Sequence, residues 1–457
     1  MTIRAILTTA LISISGVAMS QTMSNDSVAM GVGYANDVFY NLQDGSTKLQ
    51  QGNDWHIALQ MTLFGTPSFN AAIRANHART GMEVYVINNT APNTFSSVGA
   101  ADTVGKTSPS MSLSNNDTSW GTGAFYQNRN ISDPFSYGWG EYAGSPTHAV
   151  NGYTTYLIKL ANGSCYKFWM KKYTSWVQNQ GDTIGYVFEI AHLDGTADRV
   201  VTIRRQSANF DFTNSLMAYY NIDSDRIENR EPRITKWDML FTQYRDSVAM
   251  GPGPQVLYTV TGVLTNQGVQ MINAHVVNPS TTGFKTFAYQ PAINTIGYNW
   301  KTYVNPGPNG YYQLDTTANY FIKVPSTLGG ADFYQLQFTR FDGGGSAGQG
   351  KIVFAKRKLG TTVGVTTINT NSINKWFVVP NPATNEASVM IDAQTATPFA
   401  QMMVMDMAGH VVFNAPVSVK QGMNAFSLDL KSWSAGMYLV KISGGDINVS
   451  TRLVVAH

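Results

Sequence analysis

Short runs of aromatic and β-branched residues, separated by turn-forming residues, occur along most of the chain. Tyr156–Leu160 (YLIKL) is typical, because Asn and Gly lie on both sides of it. Runs of this kind predict strands, and Gly, Asn, Asp and Pro between them predict turns. No stretch carries a long apolar stripe with the 3.6-residue helical period. The pattern therefore predicts an all-β protein.

Many of these strand-like segments occur twice, in the same order and about 161 to 182 residues apart. The pairs are YNL at 40–42 with YNI at 220–222, DWHIALQ at 54–60 with KWDMLFTQ at 236–243, FSYGWGEY at 135–142 with IGYNWKTY at 296–303, YLIKL at 156–160 with YFIKV at 320–324, YKFWMKKY from 166 with YQLQFTRF from 334, and GDTIGYVFE with GQGKIVFAK. Six pairs in one order indicate a duplication.

The duplication predicts two tandem β units, residues 21–210 and 211–359. Trp55 and Trp237 lead matched strands, and a Trp ring buries a large apolar area. We therefore expect each of these strands to begin the core of one unit. A polar, Ser- and Asn-rich insertion at 94–119 predicts a long surface loop in the first unit.

The two ends of the chain differ from the body. Residues 1–20 carry one early Arg, an apolar run and small residues, which predicts a secretory signal peptide. Residues 360–375 are polar and Thr-rich, which predicts a linker. From residue 376 to 457 a new series of short strands and Ala-Gly turns predicts a small immunoglobulin-like β-sandwich.

Composition narrows the function classes. Hydrophobic residues make up 43% of the chain and charged residues only 13%, with a formal net charge of +3. So small a charge gives no reason to expect binding to nucleic acid. Outside the predicted signal peptide, no stretch has the length and hydrophobicity of a transmembrane span. Cys165 is the only cysteine, so the chain forms no intramolecular disulfide.

Catalytic motifs do not stand out. GSAGQGK at 345–351 has the first seven positions of a phosphate loop, but Ile352 follows where Ser or Thr would bind magnesium. The surrounding segments predict strands, so no helix N-terminus faces a phosphate there. No Ser/His/Asp or Cys/His order appears, and we expect the protein not to be an enzyme.

The C-terminal segment 376–457 resembles the type A C-terminal sorting domain of the Bacteroidetes type IX secretion system. The resemblance lies in five elements in the family's order: PNPATN at 380–385, DMAGHVV at 406–412, GMNAFSLDL at 422–430, SAGMYLVKI at 434–442 and TRLVV at 451–455. It implies contact with the type IX machinery and export across the outer membrane. It also implies removal of the tail, followed by release or attachment at the cell surface.

The body, residues 34–359, resembles the HmuY-type haemophore family, whose members are secreted or surface all-β proteins. The matching pieces are YNLQDG with NDWHIAL, YYNID with KWDMLFTQY, and YFIKV with FYQLQFTRFDGG and GKIVF. Known members are about half as long, so the resemblance implies two diverged units. It also implies haem or porphyrin as ligand, held by two histidines on neighbouring strands.

The histidines that this resemblance offers are His148, His56 and His77. His148 precedes a predicted strand in the region where a family ligand falls, and it is the first candidate for the iron; His56 or His77 is the second ligand. No His-x-His or Glu-x-x-His cluster supports the pair. A structural or adhesive surface protein on the same scaffold, with the haem site lost, is the alternative function.

Overall fold

The protein is described by a computed structural model that covers residues 22–61, 71–91, 93–133, 135–143, 149–174, 185–249, 252–304, 310–325, 330–343, 348–362, 373–406, 410–444 and 447–456. The predicted signal peptide and most of the predicted linker lie outside these residues. Within them the chain forms antiparallel β-sheets with one short helix, which confirms the predicted all-β class.

The strands of the body fall into two series. The first series is β1 Ser24–Ala29, β2 Asn36–Tyr40, β3 Thr47–Gln51, β4 Ile57–Gln60, β5 Ile73–Ala75, β6 Glu83–Asn88, β7 Gly140–Tyr142, β8 Ala149–Gly152, β9 Thr155–Lys159, β10 Cys165–Thr174 and β11 Gly185–His192, with helix α1 at His77–Thr80. The second series is β12 Arg199–Arg204, β13 Met217–Asn221, β14 Arg226–Glu228, β15 Met239–Val248, β16 Val256–Thr265, β17 Gln270–Asn273, β18 Lys301–Val304, β19 Tyr311–Leu314, β20 Asn319–Pro325, β21 Ala331–Asp342 and β22 Lys351–Thr362.

The two series correspond strand by strand, from β1 with β12 to β11 with β22. One large sheet has the order β12-β11-β10-β9-β6, and its counterpart has the order β1-β22-β21-β20-β17. The hairpin β7–β8 corresponds to the hairpin β18–β19. The sequence repeat is therefore a structural repeat, and each matched segment occupies an equivalent place.

The repeats exchange their first strands. β1 pairs with β22 of the second repeat, whereas β12, its counterpart, pairs with β11 of the first repeat. In the same way β2 pairs with β15, and β13 pairs with β4. Two four-stranded sheets result, with the orders β3-β2-β15-β16 and β14-β13-β4-β5, and each contains strands from both repeats.

The hydrophobic cores follow this exchange. One core combines residues from 57–203 with Phe212, Ala218, Tyr220 and Ile222. The other combines residues 28–42 with residues from 239–354. The predicted boundary between residues 210 and 211 therefore does not divide the cores, because strand pairs cross it in both directions.

Equivalent aromatic contacts anchor the exchanged strands. Tyr220 meets Phe188 edge to face, with ring centroids 5.1 Å apart and an interplanar angle of 73°. Its counterpart Tyr40 meets Phe354 at 5.2 Å and 87°. All four side chains are fully buried. Edge-to-face pairs are a favoured aromatic geometry, so each repeat is fixed to the other through the same contact.

The two Trp-led strands meet at the junction of the repeats. Trp237 is fully buried and packs edge to face on Phe39 and Trp120. Trp55 is only partly buried and packs against the same apolar cluster, with its ring 5.0 Å from Tyr219. The expectation that each Trp begins a separate core is corrected: both belong to one cluster, because the exchange places β4 and β15 on facing sheets.

The insertion predicted as a surface loop contains only short 3₁₀ turns, at Ala100–Thr103 and Pro109–Met111. Its C-terminal end and the tryptophan that follows it, however, are tied to the body. Asp117 is buried and forms an ion pair with Arg74, and the Trp120 indole donates a hydrogen bond to the Thr265 carbonyl at 2.7 Å. The loop thereby contributes to the junction between the repeats.

The C-terminal segment has its own apolar core between two sheets. Its strands are β23 Ile373–Val379, β24 Glu386–Ala393, β25 Thr397–Asp406, β26 Val411–Val419, β27 Gly422–Asp429, β28 Gly436–Gly444 and β29 Ile447–Val455. The sheet orders are β23-β24-β27 and β26-β25-β28-β29. A buried ion pair of 3.5 Å between Arg205 and Asp392 joins this sandwich to the body.

Candidate functional site

His148, the first candidate ligand, lies outside the described residues. It immediately precedes β8, whose strand is described from Ala149. No geometry is therefore assigned to its ring, and its role as a ligand stays a prediction.

His56 is buried and held on both sides of its ring. Nδ1 accepts a hydrogen bond from the Ile222 backbone N–H at 3.1 Å, and Nε2 lies 3.7 Å from the Asp223 carboxylate. Burial lowers the pKa of His56, and Asp223 opposes the shift. Because Ile222 belongs to the exchanged segment after β13, the imidazole serves to fasten that segment.

His77, at the start of α1, is also buried. Its Nδ1 lies 2.7 Å from the Met82 carbonyl, which fixes the ring across the helical turn. Burial, and next the positive charge of Arg245, lower the pKa of His77 to about 4, so the ring is neutral at pH 7. Its Nε2 has no hydrogen-bond partner among the described residues.

The backbones of these two histidines are close, since the Asn76 N–H donates to the His56 carbonyl at 2.9 Å. The space beside His77 is nevertheless small, a cavity of about 60 Å³. Sites for drug-sized organic ligands measure roughly 300–1,000 Å³. His56 does not line this cavity, so the described geometry does not assemble a bis-histidine haem site from this pair.

The other described histidines do not join them. His192 stacks on Tyr166 at 4.4 Å, His275 is exposed, and His410 pairs with Asp406 in the C-terminal sandwich at 3.0 Å. Among the described residues, no group of three or more His, Cys, Asp and Glu side chains is arranged to hold a metal ion.

A buried charge network lies at the junction of the repeats, where sequence analysis made no prediction. The Asp37 carboxylate accepts hydrogen bonds from Arg79 at 2.9 Å, Arg230 at 3.1 Å and Thr242 at 2.7 Å. Burial alone would raise the pKa of Asp37, but the two guanidinium groups hold it below its usual value. The network connects β2, α1, β15 and the segment after β14.

Glu231 is the next residue in the sequence after Arg230, and it is almost fully buried. Its carboxylate accepts hydrogen bonds from the Tyr219 hydroxyl and the Leu216 N–H, both at 2.6 Å. Burial raises the pKa of Glu231 to about 7. The sequence carries one sign of this network. In a chain with so few charges, a charged residue inside an apolar strand points to a buried ion pair, and Asp37 within NDVFY is such a residue.

A cleft of about 990 Å³ lies where the body meets the C-terminal sandwich. Its walls include Trp120, Trp237, Asn266, Tyr334 and Trp376, and none of the described histidines lines it. Burial raises the pKa of Asp238, another wall residue, to about 6. The volume suits an organic ligand, but the cleft offers no imidazole for iron.

Comparison with known proteins identifies the C-terminal segment. Residues 378–456 match the secretion system C-terminal sorting domain, which confirms the predicted type IX sorting tail. The chain is therefore exported, and the protein is secreted or exposed at the cell surface. No helix among the described residues is long and apolar enough to cross a membrane.

The remaining comparisons give no functional assignment for the body. A comparison with curated proteins found no match. Dimeric latent PorU from Porphyromonas gingivalis is similar over 69% of this chain at 10% identity, with a TM-score of 0.17; this chain spans only 28% of that protein's length. A truncated trimeric ectodomain of the C. elegans fusion protein EFF-1 matches over 66% of this chain and 68% of its own, at 7% identity and a TM-score of 0.15. Scores this low carry no argument about fold or function.

Proposed function

We propose that this protein is a non-enzymatic adhesive or structural protein of the cell surface, delivered by type IX secretion. The sorting tail carries the proposal, because it directs the chain to a place where adhesion is performed. The body supports it as a scaffold, since two repeats with exchanged strands resist separation. The roles of His56 and the charge network in this scaffold are structural.

Haem capture is the second candidate. The resemblance to the HmuY-type family favours it, as does the buried Nε2 of His77, which lacks a partner among the described residues. In this version His148 is one axial ligand, and His77 or His56 is the other. Such a site would need His56 to give up its bond to Ile222, or the small cavity beside His77 to open.

A titration of the purified protein with ferric haem separates the two candidates. The adhesive proposal predicts no saturable Soret shift, and equal spectra for the parent and for His148→Ala and His77→Ala. A saturable shift that either substitution abolishes would overturn it in favour of haem capture.

Attachment of intact cells tests the adhesive role itself. Cells that display the full chain are expected to attach better to a coated surface than cells that lack the gene. Equal attachment on every surface, with the protein present outside the cell, would contradict adhesion.

A further inference from the structure

The hairpin β18–β19 carries a group of partly exposed tyrosines. Tyr303 and Tyr312 are opposite each other in the hairpin, with centroids 5.1 Å apart and planes inclined by 54°. Tyr303 is 47% exposed and Tyr312 is 39% exposed. Tyr34 lies close by, because its ring stacks on the Phe341 ring that Tyr312 also contacts. We call these three residues, Tyr34, Tyr303 and Tyr312, the tyrosine platform.

The tyrosine platform rests on a rigid layer of rings. Phe341 meets Tyr312 edge to face at 4.8 Å and stacks parallel to Tyr34 at 6.2 Å. Trp300, fully buried, supports Phe341 from below at 5.4 Å. Rings held in this way lose little conformational freedom on binding, which is the property that makes tyrosine common in binding surfaces.

A lysine ammonium is enclosed beneath the rings. Lys301 Nζ lies 4.3 Å from the centre of the Trp300 ring and 4.9 Å from that of Phe341, and it donates a hydrogen bond to the Thr261 carbonyl at 2.6 Å. Burial lowers the pKa of Lys301 to about 7. The cation is used inside the protein, so it gives the outer surface no accessible positive group.

The first repeat shows that the fold does not require this arrangement. At the equivalent hairpin, Gly140 stands in place of Lys301, and Val150 faces Tyr142 where Tyr312 faces Tyr303. Both hairpins form, and both buried tryptophans, Trp139 and Trp300, pack in their cores. The added ring and lysine of the second repeat are therefore not required for the hairpin to form.

The charges near the tyrosine platform limit what it binds. Arg340 and Asp342, the exposed ionic residues beside Phe341, pair with each other at 3.0 Å. This ion pair therefore offers neither an unpaired cation to a polyanion nor an unpaired carboxylate to a polycation. Half-exposed tyrosine rings with their hydroxyl groups match the C–H faces and hydroxyls of a sugar.

We propose that the tyrosine platform is a binding site for neutral polysaccharide chains, with Tyr303 and Tyr312 as stacking residues. The inference rests on the proposed surface role and gives that role a ligand class. Proline-rich peptides are the competing ligand, because they also dock on aromatic surfaces. The tyrosine hydroxyl groups favour a sugar. A proline-rich peptide would find no exposed indole to dock on, because Trp300 is fully buried.

The substitution Tyr303→Ala tests the site, and Tyr311→Ala is the matched control. Tyr311 is 53% exposed on the same hairpin, but adjacent strand residues point to opposite faces, so it faces away from Tyr312. Both side chains are about half exposed, and thermal melts of each variant are expected to match the parent.

The measurement is affinity gel electrophoresis of the full chain in neutral polysaccharides (amylopectin, laminarin and xylan), with alginate and a polyproline peptide as comparisons. Retardation by a neutral polysaccharide is expected, with affinity reduced about tenfold by Tyr303→Ala, as for loss of one aromatic contact. Tyr311→Ala is expected to keep the parent affinity.

Three results would overturn the inference. These are no retardation by any neutral polysaccharide, binding to alginate or polyproline alone, and an equal loss in the control variant. Attachment of intact cells distinguishes failure of the proposed adhesive role from failure of the tyrosine platform as its site. If Tyr303→Ala cells attach like the parent while cells without the gene do not, adhesion stands and the tyrosine platform is rejected as its site.

Discussion

At the residue scale, the matched tryptophans Trp55 and Trp237 are buried to different extents in equivalent positions. Trp237 is 1% exposed and packs on Phe39 and Trp120, whereas Trp55 keeps part of its ring in solvent under the Arg230 guanidinium. The sequence predicted the position of both, because a Trp before an apolar strand is easily recognised. It did not predict the difference in burial, which depends on the partner sheet.

Replacing Trp237 with Ala is expected to lower the free energy of unfolding by about 3–5 kcal/mol, because it empties a fully buried ring site. Trp55→Ala is expected to cost about 1 kcal/mol, the typical effect of a point substitution. Urea denaturation of both variants measures the difference. Equal losses of unfolding free energy in the two variants would contradict the difference in burial between Trp55 and Trp237.

Glu231 gives the junction a pH dependence with a definite sign. Its pKa is about 7 in the folded protein, against 4.5 for an exposed Glu, so folding favours the protonated form. The stability that this group contributes is complete below about pH 4.5 and is lost as pH rises through 7.

Between pH 5 and 8 the free energy of unfolding of the parent is expected to fall by up to about 3 kcal/mol, the equivalent of the pKa difference. In Glu231→Gln this fall is expected to be absent. The Tyr219 hydroxyl can still bond to the amide, so the variant is expected to fold. Denaturation at four pH values in this window measures the slope. The same slope in parent and variant would remove Glu231 as its source; Asp238 would then be examined next.

At the scale of elements, the exchanged strands are the feature that sequence could not supply. Aromatic and β-branched runs predict where strands lie, and alternation predicts which residues share a face. Neither tells which distant strand is the partner. The pairing of β1 with β22 joins residues more than 300 positions apart, and it is decided by packing of Val28, Tyr40 and Phe354 in a shared core.

The contacts of the candidate site could not be predicted from the sequence for the same reason. His56 and His77 were recognisable as histidines near predicted strands, but their bonds to Ile222 and Met82 depend on backbone groups that no residue pattern marks. The ion pair of Asp37 with Arg230 likewise joins residues 193 positions apart. The sorting tail was predictable because its motifs are local and close together.

Separate expression of residues 22–198 and 199–362 tests the exchange. Each piece lacks the edge strand and the hairpin that the other supplies, so each is expected to be insoluble or to unfold without cooperativity. Co-expression is expected to restore a soluble, cooperatively unfolding complex. Two pieces that each fold alone with parent-like stability would show that the exchanged contacts are dispensable.

At the scale of the whole molecule, the body and the tail have separate cores and separate tasks. The body core is closed by strands from both repeats, and the sandwich closes on itself around Val389, Val404 and Val440. The Arg205–Asp392 ion pair joins them, and each keeps its own apolar core. Removal of the tail is therefore expected to leave the body folded.

Localisation of a chain that ends at residue 375 is the most direct test of export by the tail. Cells expressing this chain and cells expressing the full chain are fractionated into periplasm, cell surface and medium, and the body is detected with an antibody. We predict that the shortened protein stays in the periplasm, soluble and resistant to limited proteolysis, while the full chain reaches the surface or the medium. The shortened protein at the surface or in the medium at normal levels would contradict the account.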